Sequence, residues 1–449
     1  MTAEHDRITT AHAAWRLWGP YLAERAWATV REDYSASGDA WGYFPHDHAR
    51  SRAYRWNEDG LAGISDEKGR LCFAIALWNG RDPILKERLF GLSGPEGNHG
   101  EDVKEQYFYL DATPSHAWLQ MLYQYPQAEF PYARLVQESA RRGKDDGEFE
   151  LADTGIFDEG RYFDVFVEYA KAAADDIHIR IRVVNRGPEA AELHLLPTLW
   201  FRNTWSWEAR GGDREPPHEG DEEGDSSAHQ RPQLRAEGDA IVADHPVIGR
   251  YALIANQMAV NNTQPSSISN LQSPIDLLFT ENDTNLQRLY GGPNPTPYVK
   301  DAFHRYVVGG ERAAVNPARV GTKAAFLYRL DVGPGEEAVV RLRLTKIENA
   351  ESSIEKGSEH SDSDAAFSLF DSQFSIRKSE ADAFYDALLR QAPDEERRVF
   401  RQALAGMIWC KQFYHYRVRE WVRGDPGQPA PPPERLRGRN WQWQHLYNE

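Results

Sequence analysis

Apolar residues fall at every second position through much of the chain between residues 71 and 345, and a period of two belongs to β-strands. Ile177-His-Ile-Arg-Ile-Arg-Val183 sets Ile177, Ile179, Ile181 and Val183 on one face and His178, Arg180 and Arg182 on the other. Arg161–Tyr169 does the same with Phe163, Val165, Val167 and Tyr169. Asn185-Arg-Gly-Pro188 supplies a turn, and Ala191-Glu-Leu-His-Leu195 resumes the alternation. Phe326–Val332 and Ala338–Leu344 flank Gly333-Pro-Gly335 and are expected to form a hairpin. Short strands with one apolar face each must pair those faces, so the pattern predicts a mainly β fold, a large antiparallel sandwich.

The chain's 449 residues suffice for two or three domains. Asp and Glu outnumber Lys and Arg 69 to 52, a net charge of −17, which argues against nucleic-acid or anionic-membrane partners. Cys72 and Cys410 are both expected as small buried hydrophobes, with neither a disulfide framework nor a zinc site. No cofactor is expected. The segment Met1–Arg7 is polar, without the apolar core of a signal peptide, and no run has membrane-spanning length. The expected location is cytoplasmic.

Three regions are expected: a β-sandwich over 1–349, a linker with short helices over 350–393, and the start of a helical domain over 394–449. Residues 208–239, rich in Gly, Pro, Asp and Glu, are expected as a mobile acidic surface loop rather than a metal site. Ala381–Leu389 has the spacing of a short helix. A longer helix is expected from Asp394, with Glu395 and Glu396 at its positive end. Its stripe of Phe400, Leu404, Ile408, Val418 and Val422, widened by Val399, Ala403, Met407, Tyr414 and Trp421, needs other helices to cover it. The Pro-rich stretch Gly424–Pro433 and the residues after it offer none. The expected partner is therefore further polypeptide in cis or a separate subunit.

Chemistry-bearing residues concentrate between Trp41 and Trp118, and again near Trp200. Flat rings beside charged and amide groups suit a sugar, whose C–H face stacks while its hydroxyls hydrogen-bond. The candidates for substrate or domain-interface contact are His46, Asp47, His48, Arg50, Arg52, Trp56, Asn98, His99, Glu101, Asp102, Trp205 and Trp207. His46-Asp47-His48 with His99 is half a metal site at most, and a hydrogen-bonded loop is the favoured reading. Arg50, Arg52 and Arg55 have Glu58, Asp59 or the acids at 101–102 as expected ion-pair partners. Glu101 and Asp102, adjacent on an extended segment, point to opposite faces and are poorly placed to flank one glycosidic bond. Their loop either lines the rim of a sugar pocket or cements a domain interface. Core packing is the default for Trp200, Trp205 and Trp207.

Three stretches carry a family resemblance: Tyr43–Trp56, Arg88–Glu105 and Leu195–Trp207. As written they resemble the N-terminal half of bacterial glucosidase-like proteins of glycoside hydrolase family 63. The resemblance implies a β-sandwich joined through helices to an (α/α)6 toroid, inverting α-glucosidase chemistry, and an oligosaccharide substrate. It also places both catalytic carboxylates in the toroid, the acid after an aromatic-Trp-Asp pattern. Asn440-Trp-Gln-Trp-Gln-His445 has the tryptophans without the acid, so no catalytic residue is assigned to this chain. The alternative is a stand-alone carbohydrate-binding or scaffold module without catalysis.

Overall fold

The computed structural model of the chain describes residues 2–97, 102–208, 231–255, 276–348 and 363–448. In chain order the strands are β1 (Trp18–Gly19), β2 (Leu61–Asp66), β3 (Leu71–Trp78), β4 (Gly91–Leu92), β5 (Asp102–Val103), β6 (Gln106–Ala112), β7 (Trp118–Pro126), β8 (Tyr162–Ala173) and β9 (Asp176–Asn185). There follow β10 (Ala191–Phe201), β11 (Gln233–Glu237), β12 (Ala240–His245), β13 (Gly249–Ala255), β14 (Asp276–Thr280), β15 (Val320–Gly321), β16 (Lys323–Val332) and β17 (Glu337–Lys346). They build a six-stranded sheet, β1-β2-β3-β10-β16-β14, and a nine-stranded sheet, β15-β11-β12-β13-β17-β9-β8-β7-β6, while β4 and β5 pair with each other. Neighbours within both sheets run antiparallel.

The two sheets face each other over one core. Phe163, Val165, Val167, Tyr169, Ile177, Ile179, Ile181 and Val183 are all buried in it, as their alternation predicts. Phe73, Ile75, Leu77, Leu193, Leu195 and Leu199 reach it from the six-stranded sheet. A register slip of one residue would turn any of these rows toward the loops, which is why the pattern specifies the pairing.

The expected hairpin is not one. β16 lies in the six-stranded sheet and β17 in the nine-stranded sheet, so Gly333-Pro-Gly335 carries the chain across the core. Phe326, Tyr328, Leu330 and Val332 therefore look across at Val340, Leu342 and Leu344 instead of lying beside them. Asn185, at the end of β9, fastens the crossing. Its side-chain amide donates to Val332 O at 2.8 Å, its N–H to Glu336 O, and its carbonyl accepts from Gly335 N–H, both at 3.0 Å. Alternation states which face is apolar but not which sheet a strand joins.

The helical part also departs from expectation. The helix expected over Ala381–Leu389 belongs to a longer one, Ser363–Leu388. The helix expected to run from Asp394 past Val418 stops at Trp409, and a separate turn of helix spans Val418–Arg423. Between them the chain is extended, and Phe413 N–H donates to Tyr21 O at 2.9 Å, so a backbone contact replaces the helical ladder. Cys72 is buried as expected, whereas Cys410, just past the helix end, is exposed. Of residues 208–239, residues 209–230 lie outside the described part, and 233–237 form β11 rather than loop. No helix among the described residues is long and apolar enough to cross a membrane.

Candidate functional site

Strand alternation decides what the outer face of the six-stranded sheet offers. Ala74 and Ala76 of β3, Thr198 and Trp200 of β10 and Lys323 of β16 point away from the core, toward covering loops. The small residues leave a narrow cavity of about 20 Å³ there, room for a water molecule or two. Glu58, Asp59, Glu87, Arg88, Asn282 and Lys300 complete its lining, all of them buried. Arg88 pairs with Asp59 at 3.1 Å and Lys323 with Glu87 at 2.5 Å. Asn282 Nδ2 donates to Glu58 at 2.9 Å, and Lys300 Nζ donates to Arg52 O at 2.7 Å. Burial pushes the Glu58 carboxyl up and the Lys300 ammonium down to about 8. Perturbed acids and bases around a void are the pattern of a working site, but this void is too small for a sugar ring.

The stretch from His46 to Trp56 begins with one turn of helix, His46–Ala49. His46 is packed among Trp27, Phe90 and Tyr132. Burial, then the charges of Lys86, Arg88, Arg50 and Arg25, hold its imidazole well below the ordinary value, so it is neutral. Burial likewise lowers His48. Asp47 pairs with Arg50 and with Arg288, each at 2.7 Å. Arg52 is 1% exposed, lies over Phe44, Tyr43 and Tyr34, and donates to Glu32 O at 3.2 Å. Arg55 donates to Glu420 and to Gly424 O, both at 2.8 Å. Of the expected partners of these arginines, Asp59 is taken by Arg88, Glu58 by Asn282 and Asp102 by Lys104, while Glu101 lies outside the described residues. Long guanidinium arms reach residues hundreds of positions away, which sequence proximity does not reveal.

Asn98, His99 and Glu101 lie outside the described residues. Asp102 starts β5 and stands with Glu148 and Glu150, three carboxylates close enough to hold a cation. The cation is already there. Lys104 Nζ donates to Asp102, to Glu148 at 3.1 Å and to Glu150 at 2.9 Å, with its side chain 1% exposed. The group is a lysine clamp.

Trp56 and Trp207 converge with residues from the far end of the chain, whereas Trp205 meets Asp283 and Arg231. Trp56 is fully buried, and its indole N–H donates to Tyr34 Oη at 2.8 Å. Trp205 donates to Asp283 at 2.8 Å and is half-buried. Trp207, also half-buried, lies flat on His415, the rings 5.9 Å apart and 4° from parallel. His415 is also stacked by Trp56 at 5.5 Å and by Phe413 at 6.2 Å. Arg55 and Arg202 lie 5.2 and 5.4 Å from the Trp207 ring. Burial and the surrounding arginines push His415 down to about 2, so it is a neutral aromatic plate. His415, Phe413 and Arg202 were not among the sequence candidates. Their signal was the aromatic run Phe413-Tyr-His-Tyr416, which helical spacing disguised.

No family model matches the chain. It is 42% identical over 465 aligned residues to the uncharacterized protein YMR196W of Saccharomyces cerevisiae (strain ATCC 204508 / S288c), an alignment that takes in 100% of this chain and 42% of that protein. The chain thus spans about two fifths of the length of the curated relative it matches. Among solved structures, a galactose mutarotase related enzyme from Lactobacillus acidophilus is 8% identical with a TM-score of 0.20, covering 65% of this chain and 96% of its own. A likeness at that level establishes neither shared fold nor shared chemistry.

Proposed function

We propose that this chain is the β-sandwich portion of a glycoside hydrolase of the family 63 kind, an inverting α-glucosidase acting on oligosaccharides, and that it binds glycan without cleaving it. The observation that carries this reading is the ledge of Trp207 on His415, flanked by Arg55 and Arg202. A flat ring beside cationic donors meets both needs of a sugar, an apolar face and hydroxyl partners. The order of sandwich and then helices agrees with the family's plan. The buried acids around the cavity are engaged in ion pairs or amide contacts, which supports placing the catalytic carboxylates elsewhere, in an (α/α)6 toroid.

Residues 394–449 are, in this reading, the first part of that toroid. Val399, Phe400 and Met407 on the 394–409 helix are 61%, 47% and 73% exposed, an apolar face of the kind that seats against other helices. The yeast relative is long enough to hold such a domain.

A second reading, a stand-alone carbohydrate-binding or scaffold module, has its own support. Tyr416, Val418, Trp421 and Val422 fold back onto Tyr34 and Trp56, closing a small core of their own.

Isothermal titration of the purified chain with α-linked gluco-oligosaccharides, beside a glucose-release assay, tests both. Saturable binding without release, abolished by Trp207→Ala, is expected. No binding by the wild-type chain would sink the glycan reading in both forms. Adding the remainder of the longer protein separates them, because only the hydrolase reading expects release to appear.

A further inference from the structure

Glu24 is buried, 8% exposed, beneath the end of the 394–409 helix. Its carboxyl has one side-chain hydrogen-bond partner, Tyr109 Oη, at 2.5 Å to Oε2, beside its own backbone N–H. Oε1 has none, and no lysine or arginine pairs with Glu24 among the described residues. This is unusual in a chain whose other buried acids are mostly held by cations or several donors. Tyr109 is also the plate on which the helix sits: Trp409 stacks on it at 5.5 Å and 11° from parallel. Arg401 clamps Asp111 of the same strand through two bonds, 2.8 and 2.5 Å, and Trp409 Nε1 donates to Asp111 O at 3.2 Å. One carboxyl therefore touches the ring that carries the helix.

We propose that Glu24 is a proton-operated latch at this junction, seating the 394–409 helix on β6 when neutral and loosening it when ionised. A buried carboxylate with only neutral donors lacks the solvation it has in water, so its charged form favours any opening that lets water in. The groups that face it are Tyr107 and Tyr109 of β6, Tyr169 of β8 and Cys410 past the helix end. They supply no positive charge. Arg25, the neighbouring residue, acts on Tyr107. Burial, opposed by the hydrogen bonds from Tyr109 and from its own backbone N–H, raises the Glu24 carboxyl to about 7. A second titrating contact lies nearby, Lys411 Nζ on His116 Nε2 at 3.0 Å, with Lys411 lowered by burial to about 8. Any test must separate the two.

The sign follows from linkage. Closed, Glu24 keeps its proton to about pH 7; open, it has the ordinary value of 4.5. Between these values the open form releases a proton, so opening gains about tenfold per pH unit and levels off above pH 7. The latch does not depend on any glycan. It sets how firmly the apolar face of Val399, Phe400 and Met407 is presented.

Hydrogen exchange of the intact chain from pH 5 to 8, corrected for intrinsic rates, reads the opening of residues 394–409. The wild type is expected to lose protection up to pH 7, and Glu24→Gln to hold it constant there, with the Lys411 contribution remaining above pH 7 in both. Equal pH dependence in the two proteins, or none in the wild type, would overturn the proposal. Should Glu24→Gln fail to fold, Tyr109→Phe decides: loss of the bond that favours the charged form must move the wild-type levelling-off point upward. An unmoved point overturns the latch.

Discussion

Trp207 lies parallel to His415, 5.9 Å away and tilted by 4°, joining the end of β10 to the segment before the 418–423 helix. The pair has two jobs that a single substitution separates. Trp207→Ala removes a half-buried indole and leaves His415 stacked on Trp56. The stability cost is expected to stay near 1 kcal/mol, the size of one aromatic stack. Oligosaccharide affinity is expected to fall at least tenfold, because the sugar loses its plate. Thermal unfolding and titration calorimetry on the same protein measure both. A large loss of stability with unchanged affinity would make the stack a structural pin only.

Arg401 ties the 394–409 helix to the sandwich through Asp111, and it also reaches Asp382 at 2.6 Å on the preceding helix. Asp111 is 5% exposed. Truncating Arg401 leaves that carboxylate with the Trp118 indole N–H, 2.8 Å away, and its neighbour's N–H as its remaining donors. Arg401→Ala is expected to cost about 3 kcal/mol and to open residues 394–409 to proteolysis before the sheets unfold. Limited digestion with mass spectrometry reads the order of cleavage, and simultaneous loss of both regions would refute it.

The clamp at Asp102 makes a different kind of prediction. Lys104 stands where three carboxylates converge, so removing its ammonium leaves them to repel one another. Lys104→Met is expected to lower the melting temperature in metal-free buffer and to recover part of it on adding Ca²⁺, which oxygen ligands favour. The wild type is expected to show no such rescue. If both proteins respond alike to Ca²⁺, the clamp explanation fails.

Much of the sandwich was legible because strand periodicity is a local property. Ile177 to Val183 had only one way to bury every second side chain. What eluded that logic was non-local. Nothing in Phe326–Leu344 says whether two apolar strands pair side by side or face each other, and Asn185, far upstream, decides it. Helical spacing ran past Trp409 because Val418, Trp421 and Val422 are apolar for another reason, their packing with Tyr34 and Trp56. Of the site candidates, Trp56 and Trp207 share a ring stack with His415. Their link through His415 needed the third dimension. Arg50 and Arg55 form ion pairs, with Asp47 and Glu420, and Arg52 lies over aromatic rings; these partners were missed because a guanidinium selects by distance in space.

The pair of Lys323 and Glu87 under the cavity gives a test of how these buried charges stabilise the fold. Both side chains are buried and 2.5 Å apart. Burial alone pushes the Glu87 carboxyl up, but Lys323 and Arg88 outweigh it and hold it below its ordinary value of 4.5. A carboxyl lowered in the folded state contributes stability above the unfolded value, and that contribution disappears as pH falls through the folded one. Wild-type stability is therefore expected to include a component that is level from neutral pH to about 4.5 and is lost below it. Lys323→Met removes the largest of the three opposing cations. Glu87 would then keep Arg88, 3.8 Å away, and the weaker charge of Lys300, and burial would raise its carboxyl. The expected loss at pH 7 is about 3–5 kcal/mol, shrinking as the medium is acidified and Glu87 is protonated. Denaturant unfolding of both proteins from pH 7 to 4 measures the difference directly. A difference that stays constant across that range would mean the lysine acts through packing, not through its charge on Glu87.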